Sequence, residues 1–259
     1  MSKQKLRDNL NQARTLKRPK LHSSRLLHVL ADLSLADTAG SSVAFAEKLA
    51  LWVDFTHAIK LSGLLNTHAA AAAIAPKRSS GGSESLVQTL NKVRNSLENL
   101  ITQGCSPKVF KAQVELHSPS LELSDAPPTT YEPYRRYYMS LQRDMETSVH
   151  ALHLRVREAL VKASPNLKKL VALDTTFEGI LAEREGKWLA KMPVMLEKQF
   201  GTLLAQNTST ETNDWLKPGH WLHQFSQNFQ TLLLAELDLR LQSTLGLVEA
   251  YQGEFQTQT

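Results

Sequence analysis

Apolar residues recur every three or four positions along the C-terminal part of the chain, and this spacing limits the fold more than any other feature. The repeat consists of Trp221, Leu222, Phe225, Phe229, Leu232, Leu233, Leu237, Leu241, Leu245 and Val248. Side chains at this spacing lie on one face of an α-helix, and Pro218 suits the first turn of that helix. A helix with so wide an apolar face is not stable alone, so it must pack against other helices.

A second regular pattern begins at Tyr134 and continues to about residue 163. Its members step by four and three, close to a heptad seam, at Tyr134, Tyr138, Leu141, Met145, Ser148 and Leu152. Pro165 predicts the start of a further helix, and Pro193 should kink or restart it. Strand signals are nearly absent. We therefore predict an all-α fold in which residues 134–253 form a bundle of long antiparallel helices, either a three-helix bundle or an antiparallel coiled coil.

The N-terminal half predicts a helical domain over residues 23–104. Serine pairs that can cap helices precede two apolar stretches, so we expect a helical hairpin over residues 24–59. A third helix should follow and end at Gly104. Proline, serine and glycine within residues 76–85 are typical of a flexible linker.

Five prolines within residues 105–133 predict a connector between the two halves. Inside it, residues 114–116 suggest one short strand. Cys105 lies in a Gly-Cys-Ser-Pro stretch typical of a loop, and a single cysteine cannot form an intramolecular disulfide. A reducing, cytoplasmic compartment is therefore expected. The sequence also contains no apolar run of signal-peptide or membrane-spanning length.

Positive charge is concentrated at the N-terminus of the chain. Residues 1–28 contain eight basic side chains and one acidic one, a net charge of +7, whereas the formal charge of the whole chain is +5. Residues 1–22 therefore predict a basic, flexible arm. Such an arm suits contact with nucleic acid, acidic lipid or an acidic protein surface, and a plain solubilising tail is the alternative.

The chain lacks the sequence motifs of catalysis and of metal or cofactor binding. Histidine pairs such as His150 with His153 lie on one helix face, but no third ligand follows at a zinc-binding spacing. Gly81 and Gly82 lie in a serine-rich segment without the lysine of a phosphate-binding loop. The sequence around Cys105 does not match a nucleophile motif, so we interpret this residue as a loop thiol. We therefore predict a non-enzymatic protein with no catalytic residue, metal or cofactor.

A basic stripe recurs every seven residues on the helix that begins near Tyr134. It consists of Arg136, Arg143, His150 and Arg157. With the heptad seam described above, these side chains share the outward position. Tyr134, Tyr137 and Tyr138 lie at the start of the stripe, and aromatic and basic side chains together can bind a phosphate backbone. A solvated helix face is the alternative. With the arm and Arg135 included, the candidate residues for binding nucleic acid or a partner are Lys3, Lys5, Arg7, Arg14, Lys17, Arg18, Lys20, Arg135, Arg136, Arg143, His150 and Arg157.

Several stretches together resemble a known group of helical proteins. They are Ser24-Arg-Leu-Leu-His-Val-Leu-Ala-Asp-Leu, Ala44-Phe-Ala-Glu-Lys-Leu, Trp52-Val-Asp-Phe-Thr, Arg143-Asp-Met-Glu, Arg155-Val-Arg-Glu-Ala-Leu and Leu234-Ala-Glu-Leu-Asp-Leu-Arg-Leu. The combination resembles an uncharacterised proteobacterial helical family, specifically the ZorF-like component of type III Zorya antiphage defence systems. The likeness covers roughly residues 22–250. Because these stretches are not catalytic motifs, they imply no active-site residue.

The resemblance implies partners that the residues themselves do not. It implies a cytosolic defence component that works beside a proton-driven membrane motor of the MotA, TolQ and ExbB kind and an OmpA-like subunit. A companion cytosolic protein, ZorG-like, would be its direct partner. Our first hypothesis is therefore an adaptor or effector subunit of an antiphage defence system, which also binds DNA if the basic surfaces are used. The alternative is a stand-alone nucleic-acid-binding helical module, and either protein can form a homo-oligomer.

Overall fold

Seven α-helices of eight or more residues make up most of the described structure. The structure, a computed structural model, describes residues 25–33, 58–59, 61–63, 80–117, 127–207 and 214–256. Its helices are α1 (Arg25–Asp32), α2 (Ser80–Gly104), α3 (Pro107–Leu116), α4 (Glu132–Ala163), α5 (Pro165–Leu189), α6 (Met192–Gln206) and α7 (Trp221–Gln256). Within these residues the chain forms no β-strand, so the predicted all-α fold is confirmed.

Helix α7 lies at the centre of the fold and contacts each of the other six helices. Its buried side chains are distributed around much of the helix rather than along one narrow stripe. They include Trp221, Leu222, Phe225, Phe229, Leu232, Leu233, Leu237, Leu241, Leu247 and Val248. A helix that is apolar on most sides is stable only where neighbours surround it. The wide apolar face of the sequence is therefore matched by a central position.

Helices α4 to α7 are arranged like a three-helix bundle, in which α5 and α6 follow one another and together take the place of the middle helix. Gln142 of α4 contacts the carbonyl of Leu189 at the end of α5, so α4 and α5 run antiparallel. Tyr138 lies beside Glu236 and Ser164 beside Glu254, so α7 runs parallel to α4. Up-down-up connection of three helices requires this parallel pair.

Serine and proline residues determine where α5 and α6 begin. The Ser164 hydroxyl accepts a hydrogen bond from the backbone amide of Leu167, 3.2 Å away, and caps α5 with Pro165 in its first turn. Helix α5 ends at Leu189, and α6 begins at Met192 with Pro193 in its first turn. A proline there removes no helical hydrogen bond. The predicted restart at this proline is confirmed.

The buried positions of α4 follow an eleven-residue repeat instead of the predicted heptad. They step by four, three and four, and the central ones are Tyr134, Tyr138, Leu141, Met145, Val149, Leu152, Val156 and Leu160. Ser148, which the heptad placed in the seam, is half-buried, and Val149 takes its place. Eleven residues in three turns match a nearly straight α-helix better than seven in two. The heptad prediction is therefore wrong beyond Met145.

The predicted connector contains a helix where a strand was expected. Residues 114–116 belong to α3, which has Pro107 in its first turn and buries Phe110 and Val114. These two side chains are four residues apart, so they share one face of a helix, whereas strand alternation would separate them. Helix α2 begins at Ser80, so residues 80–85 of the linker predicted over residues 76–85 are helical.

Helices α1 and α2 belong to the same core as the long helices. Leu26 and Leu30 of α1 are fully buried, as is Ile101 of α2, and all three lie in one hydrophobic cluster with residues of α4 and α7. The end of α2 at Gly104 is confirmed. The arm over residues 1–22 and most of the second helix predicted within residues 41–59 lie outside the described residues.

Aromatic rings fill one end of the bundle. The cluster consists of Phe110, Tyr131, Tyr134, Tyr137, Tyr138, Phe200, Trp215, Trp221, Phe225 and Phe229. Tyr137 stacks on Phe229 with ring centroids 5.7 Å apart. The ring centroid of Phe110 lies 6.2 Å from that of Tyr137. A Cβ atom added at Gly104 would collide with the Tyr137 hydroxyl oxygen. Glycine at this position thus lets α2 end against the aromatic cluster.

Replacing Gly104 with alanine should therefore lower the free energy of unfolding by about 1–3 kcal/mol, because the stacked Tyr137 ring has little room to move. Adding Tyr137→Phe removes the colliding oxygen and should restore part of the loss. Gly186→Ala is the matched control, since no atom lies within 4 Å of a Cβ added at that helical position. The control should be neutral or stabilising. Urea unfolding measures all four proteins, and equal stability of Gly104→Ala and Gly186→Ala would contradict the packing argument.

Candidate functional site

The structure places the predicted basic stripe on α4 in two different environments. Arg136, Arg143 and His150 are exposed, and so is the neighbouring Arg135. Arg157, in contrast, is only 9% exposed and lies against α5. The prediction that it belongs to an outward stripe is therefore wrong.

The rotation of a straight helix explains why the stripe turns inward. Successive residues are rotated by about 100° around the axis, so seven residues fall about 20° short of two turns. Over the three heptads from Arg136 to Arg157 the shortfall reaches roughly 60°. This rotation carries the last member of the stripe from solvent to the interface with α5.

The exposed part of the stripe has mixed charge. Glu132 pairs with both Arg135 and Arg136, at 3.5 and 3.0 Å between nitrogen and oxygen. Two exposed acids, Asp144 and Glu146, lie between Arg143 and His150 along the same helix, and a third, Glu158, follows Arg157. Counter-ions already supplied by the protein weaken attraction to phosphate. Nucleic-acid contact through this face, and through the arm, stays a prediction.

The three tyrosines at the start of the stripe are not available for stacking on bases. Tyr134 is 1% exposed, Tyr137 3% and Tyr138 fully buried. They belong to the aromatic cluster, where Tyr134 lies 5.0 Å from Phe200 between ring centroids. Burial raises the pKa of each of the three phenols. Their proposed role in gripping a phosphate backbone is wrong, because packing uses both faces of these rings.

Arg157 and His153 form a buried polar cluster with Asp174 of α5, which we call the Asp174 cluster. The Arg157 Nε atom donates to Asp174 Oδ2 at 2.7 Å, and His153 Nε2 lies 2.9 Å from the same oxygen. Ser243 of α7 donates to the other carboxylate oxygen. His153 Nδ1 lies 2.9 Å from the Thr244 hydroxyl. One carboxylate thus joins α4, α5 and α7.

The pKa of Asp174 reports how strongly this cluster favours the charged carboxylate. Burial alone would raise the pKa, but hydrogen bonds from His153, Ser243 and Arg157 outweigh burial and lower the value to about 2. Arg157 also pairs with Glu178, one turn further along α5, at 2.6 Å. The cluster therefore holds the helices together through buried ion pairs and hydrogen bonds.

A second buried carboxylate, Glu236 of α7, lies opposite the N-terminal third of α4. Its side chain is fully buried and accepts hydrogen bonds from Tyr138 at 3.0 Å and from Gln142 at 2.9 Å. Arg240, one turn along α7, donates to it at 2.8 Å. We call these four residues the Glu236 cluster. Buried charges persist in proteins only when they are paired and hydrogen-bonded in this way.

Asp238, two residues along α7, points toward α1 and α2 instead. Its carboxylate pairs with Arg25 of α1 at 2.5 Å and with Arg94 of α2 at 2.8 Å. Arg94 also donates to Glu98 at 2.8 Å. Asp238 therefore joins the N-terminal helices to the central helix.

Apart from Arg157, the residues of these clusters were not among the predicted binding residues, although the sequence contains signals for them. Arg157 follows His153 by four residues, and Glu178 follows Asp174 by four, so basic and acidic pairs face one another across two helices. Glu236, Asp238 and Arg240 lie in the Leu234-Ala-Glu-Leu-Asp-Leu-Arg-Leu stretch, inside an otherwise apolar helix. A charge inside an apolar stripe is a signal of buried pairing.

A groove between α2 and α4 forms a concave surface in the described structure. One cavity of about 560 Å³ is lined by Ser96, Leu97, Asn99, Leu100, Gln103, Asp144, Thr147 and Ser148. A second, of about 260 Å³, is lined by Thr89, Val93, Ser96, Leu97, Ser148, Ala151, Leu152 and Arg155. The two share Ser96, Leu97 and Ser148, so they form one continuous groove. We call it the α2–α4 groove.

The groove lining mixes polar and apolar side chains, with opposite charges at its two ends. Asp144 lies at the end near Gln103, and Arg155 lies at the end near Thr89. The α2 segment that borders it spans roughly 21 Å at 1.5 Å per residue. Leu100 is 44% exposed within the lining and supplies an apolar contact point.

Cys105 and the histidines give no separate site in the described part of the chain. Cys105 lies in the turn between α2 and α3, as the interpretation as a loop thiol predicted, but its side chain is 3% exposed and burial raises its pKa to about 12. Among the described residues there is no group of three or more potential metal ligands. Trp221 and Phe225 of the predicted apolar face are core residues, and Trp215 is buried with them.

Comparison with known proteins places the chain in a family. A model built for proteins of unknown function, DUF3348, matches residues 12–253. The chain belongs to the DUF3348 family. The match includes α1 to α6 and nearly all of α7, so the helices that carry the Asp174 and Glu236 clusters lie within the DUF3348 region. No curated protein and no solved structure matches the chain. Among the described residues, no helix is long and apolar enough to cross a membrane.

Proposed function

We propose that this DUF3348 protein is a non-enzymatic adaptor that binds a companion protein through the α2–α4 groove. The observation that carries the proposal is the groove itself, a continuous concave surface between two helices that the Asp174 and Glu236 clusters do not reach. Within each of those clusters the polar side chains form hydrogen bonds with one another inside the bundle. The groove presents its hydroxyl and amide groups to the outside.

The chemistry of the lining favours a polypeptide over a small molecule. Pockets for small ligands are mostly apolar and enclosed, whereas this surface is open and rich in serine, threonine and amide side chains. Protein interfaces combine such polar contacts with a few apolar anchors, and Leu100 supplies one. Asp144 and Arg155 at opposite ends favour a segment with charges in the reverse order.

The identity of the companion rests on the sequence resemblance. The stretches that resemble ZorF-like proteins favour a role in an antiphage defence system of the Zorya kind, in which a ZorG-like cytosolic protein is the direct partner. The same resemblance favours a functional link to the membrane motor and its OmpA-like subunit. Two of the resembling stretches, residues 143–146 and 155–160, lie on α4 beside or within the groove.

Thr147→Arg should weaken binding of the companion at least tenfold, because an arginine side chain fills the groove at its widest cavity. Thr202→Arg on α6 is the matched control. Both threonines are exposed, and each hydroxyl donates to the carbonyl four residues earlier at 2.9 Å. Co-expression with the ZorG-like protein followed by size-exclusion chromatography measures the complex. Separate peaks for the wild-type proteins, or equal binding by both variants, would contradict the proposal.

A further inference from the structure

Helix α1 packs on the bundle in the manner of a bound amphipathic peptide. It is eight residues long, the shortest of the helices described here, and its buried residues are Leu26, Val29 and Leu30. Leu33 continues the series and is partly buried against the core. This spacing of anchors is the one by which an amphipathic helix binds a hydrophobic groove. The side chain of Leu27 points outward and is 47% exposed.

The receiving surface is formed mainly by α7, and Arg94 of α2 lies at its edge. Asp238 lies at its centre, and helical spacing places Leu234, Leu241 and Leu245 on the same face of α7. On α2, Arg94 approaches the same face, because it shares the Asp238 carboxylate with Arg25. The surface is therefore apolar, with one acidic group in the middle.

The ion pairs allow α1 to leave without stranding a buried charge. Arg25 is 57% exposed in its side chain, so water can replace Asp238 around its guanidinium. Asp238 keeps its second partner, Arg94, when Arg25 is gone. An uncompensated buried charge is what makes breaking an ion pair costly, and none arises here.

The length of α1 shows that docking maintains its helical structure. Isolated helices shorter than about 12–15 residues are marginal in water, so α1 depends on the groove for its stability. Residues 34–79 separate it from α2, so no short connection ties the two helices together. The described contacts of α1 include three buried side chains, the partly buried Leu33 and one exposed ion pair.

We propose that α1 is a releasable strap that occupies a helix-binding groove of its own protein. When α1 leaves, the groove accepts an amphipathic partner helix with apolar residues at the same spacing and a basic residue one position before the first. In this arrangement α1 competes with the partner and keeps the groove closed in its absence. The strap is independent of the α2–α4 groove and of the companion proposed above.

A labelled synthetic peptide of residues 23–36 tests the proposal on the full chain. Leu26→Asp with Leu30→Asp unseats α1, and this variant should bind the peptide at least tenfold more tightly than the wild type does. Leu27→Asp is the matched control on the exposed side of the same helix and should bind as the wild type does. Equal affinity of the wild type and the double variant would overturn the proposal.

Hydrogen exchange of the unmodified chain provides a test that needs no variant. The amides of α1 should exchange at least a hundredfold faster than those of α4 and α7, because the strap opens without global unfolding. Protection of α1 equal to that of α4 would mean that the helix leaves only when the bundle unfolds. That result would rule out a releasable strap.

Discussion

Asp174→Asn should lower the free energy of unfolding by about 2–4 kcal/mol, somewhat less than the usual cost of removing one partner from a buried ion pair, because Arg157 keeps Glu178 as a second partner. For a chain of this size the melting temperature should fall by about 10 °C. The substitution keeps the shape of the side chain but removes the charge that Arg157 and His153 share. Because Arg157 is 9% exposed, water cannot fully replace the carboxylate. Thermal unfolding followed by circular dichroism measures the effect.

Glu183→Gln is the matched control for this substitution. Glu183 also lies on α5 and pairs with a basic side chain, Lys187, at 2.6 Å, but its side chain is 77% exposed. An exposed pair of this kind contributes little, so the change should stay within about 0.5 kcal/mol. Equal melting temperatures for the two variants would show that the Asp174 cluster does not hold the helices together.

The same carboxylate should make the fold sensitive to acid. Its pKa is about 2 in the folded chain, below the usual 3.8, so ionisation stabilises the folded state. This contribution, about 2 kcal/mol, is fully present above about pH 5 and is lost as the pH falls toward 2. The wild type should therefore lose more stability than Asp174→Asn over that window. Parallel pH profiles would contradict the assignment.

Glu236→Leu should destabilise the protein by about 3–5 kcal/mol because it leaves Arg240 without its carboxylate. The Arg240 side chain is 15% exposed, and the buried Tyr138 hydroxyl also loses its acceptor. Adding Arg240→Met replaces the ion pair by apolar groups and should recover about 2 kcal/mol. Urea unfolding of the two single variants and the double variant gives the coupling energy directly.

An exposed ion pair on α4 provides the control for this double-mutant cycle. Glu158 and Lys162 lie 2.6 Å apart, but their side chains are 66% and 72% exposed. Their coupling energy should be below about 0.5 kcal/mol. If the Glu236 and Arg240 substitutions were simply additive, the stabilising role of the Glu236 cluster would be refuted.

Helical spacing and proline positions predicted the larger features of this fold. Apolar residues at three-and-four spacing identified α4 and α7, since only a helix places such residues on one face. Pro193 predicted the restart between α5 and α6 because proline is compatible with a first helical turn. The position of Trp221 in the core followed from the same spacing.

The wrong predictions arose where one sequence pattern is compatible with two structures. A heptad and an eleven-residue repeat agree from Tyr134 to Met145 and then diverge, which moved Arg157 from the surface to the interior. Proline-rich composition suggested a loose connector, but Pro107 sits where a helix tolerates it. The α2–α4 groove depends on how two helices pack, and pairing across 50 residues leaves no trace in local spacing.

The central position of α7 determines when this protein can fold. Every other helix described depends on residues 221–256 for part of its packing, and Arg25 finds its acid partner 213 positions later in the chain. Contacts between such distant positions slow folding, since a long loop must close before they form. A nascent chain that ends before α7 therefore exposes the apolar faces of six helices. Such chains should depend on chaperones until synthesis of the last helix lets the whole bundle close at once.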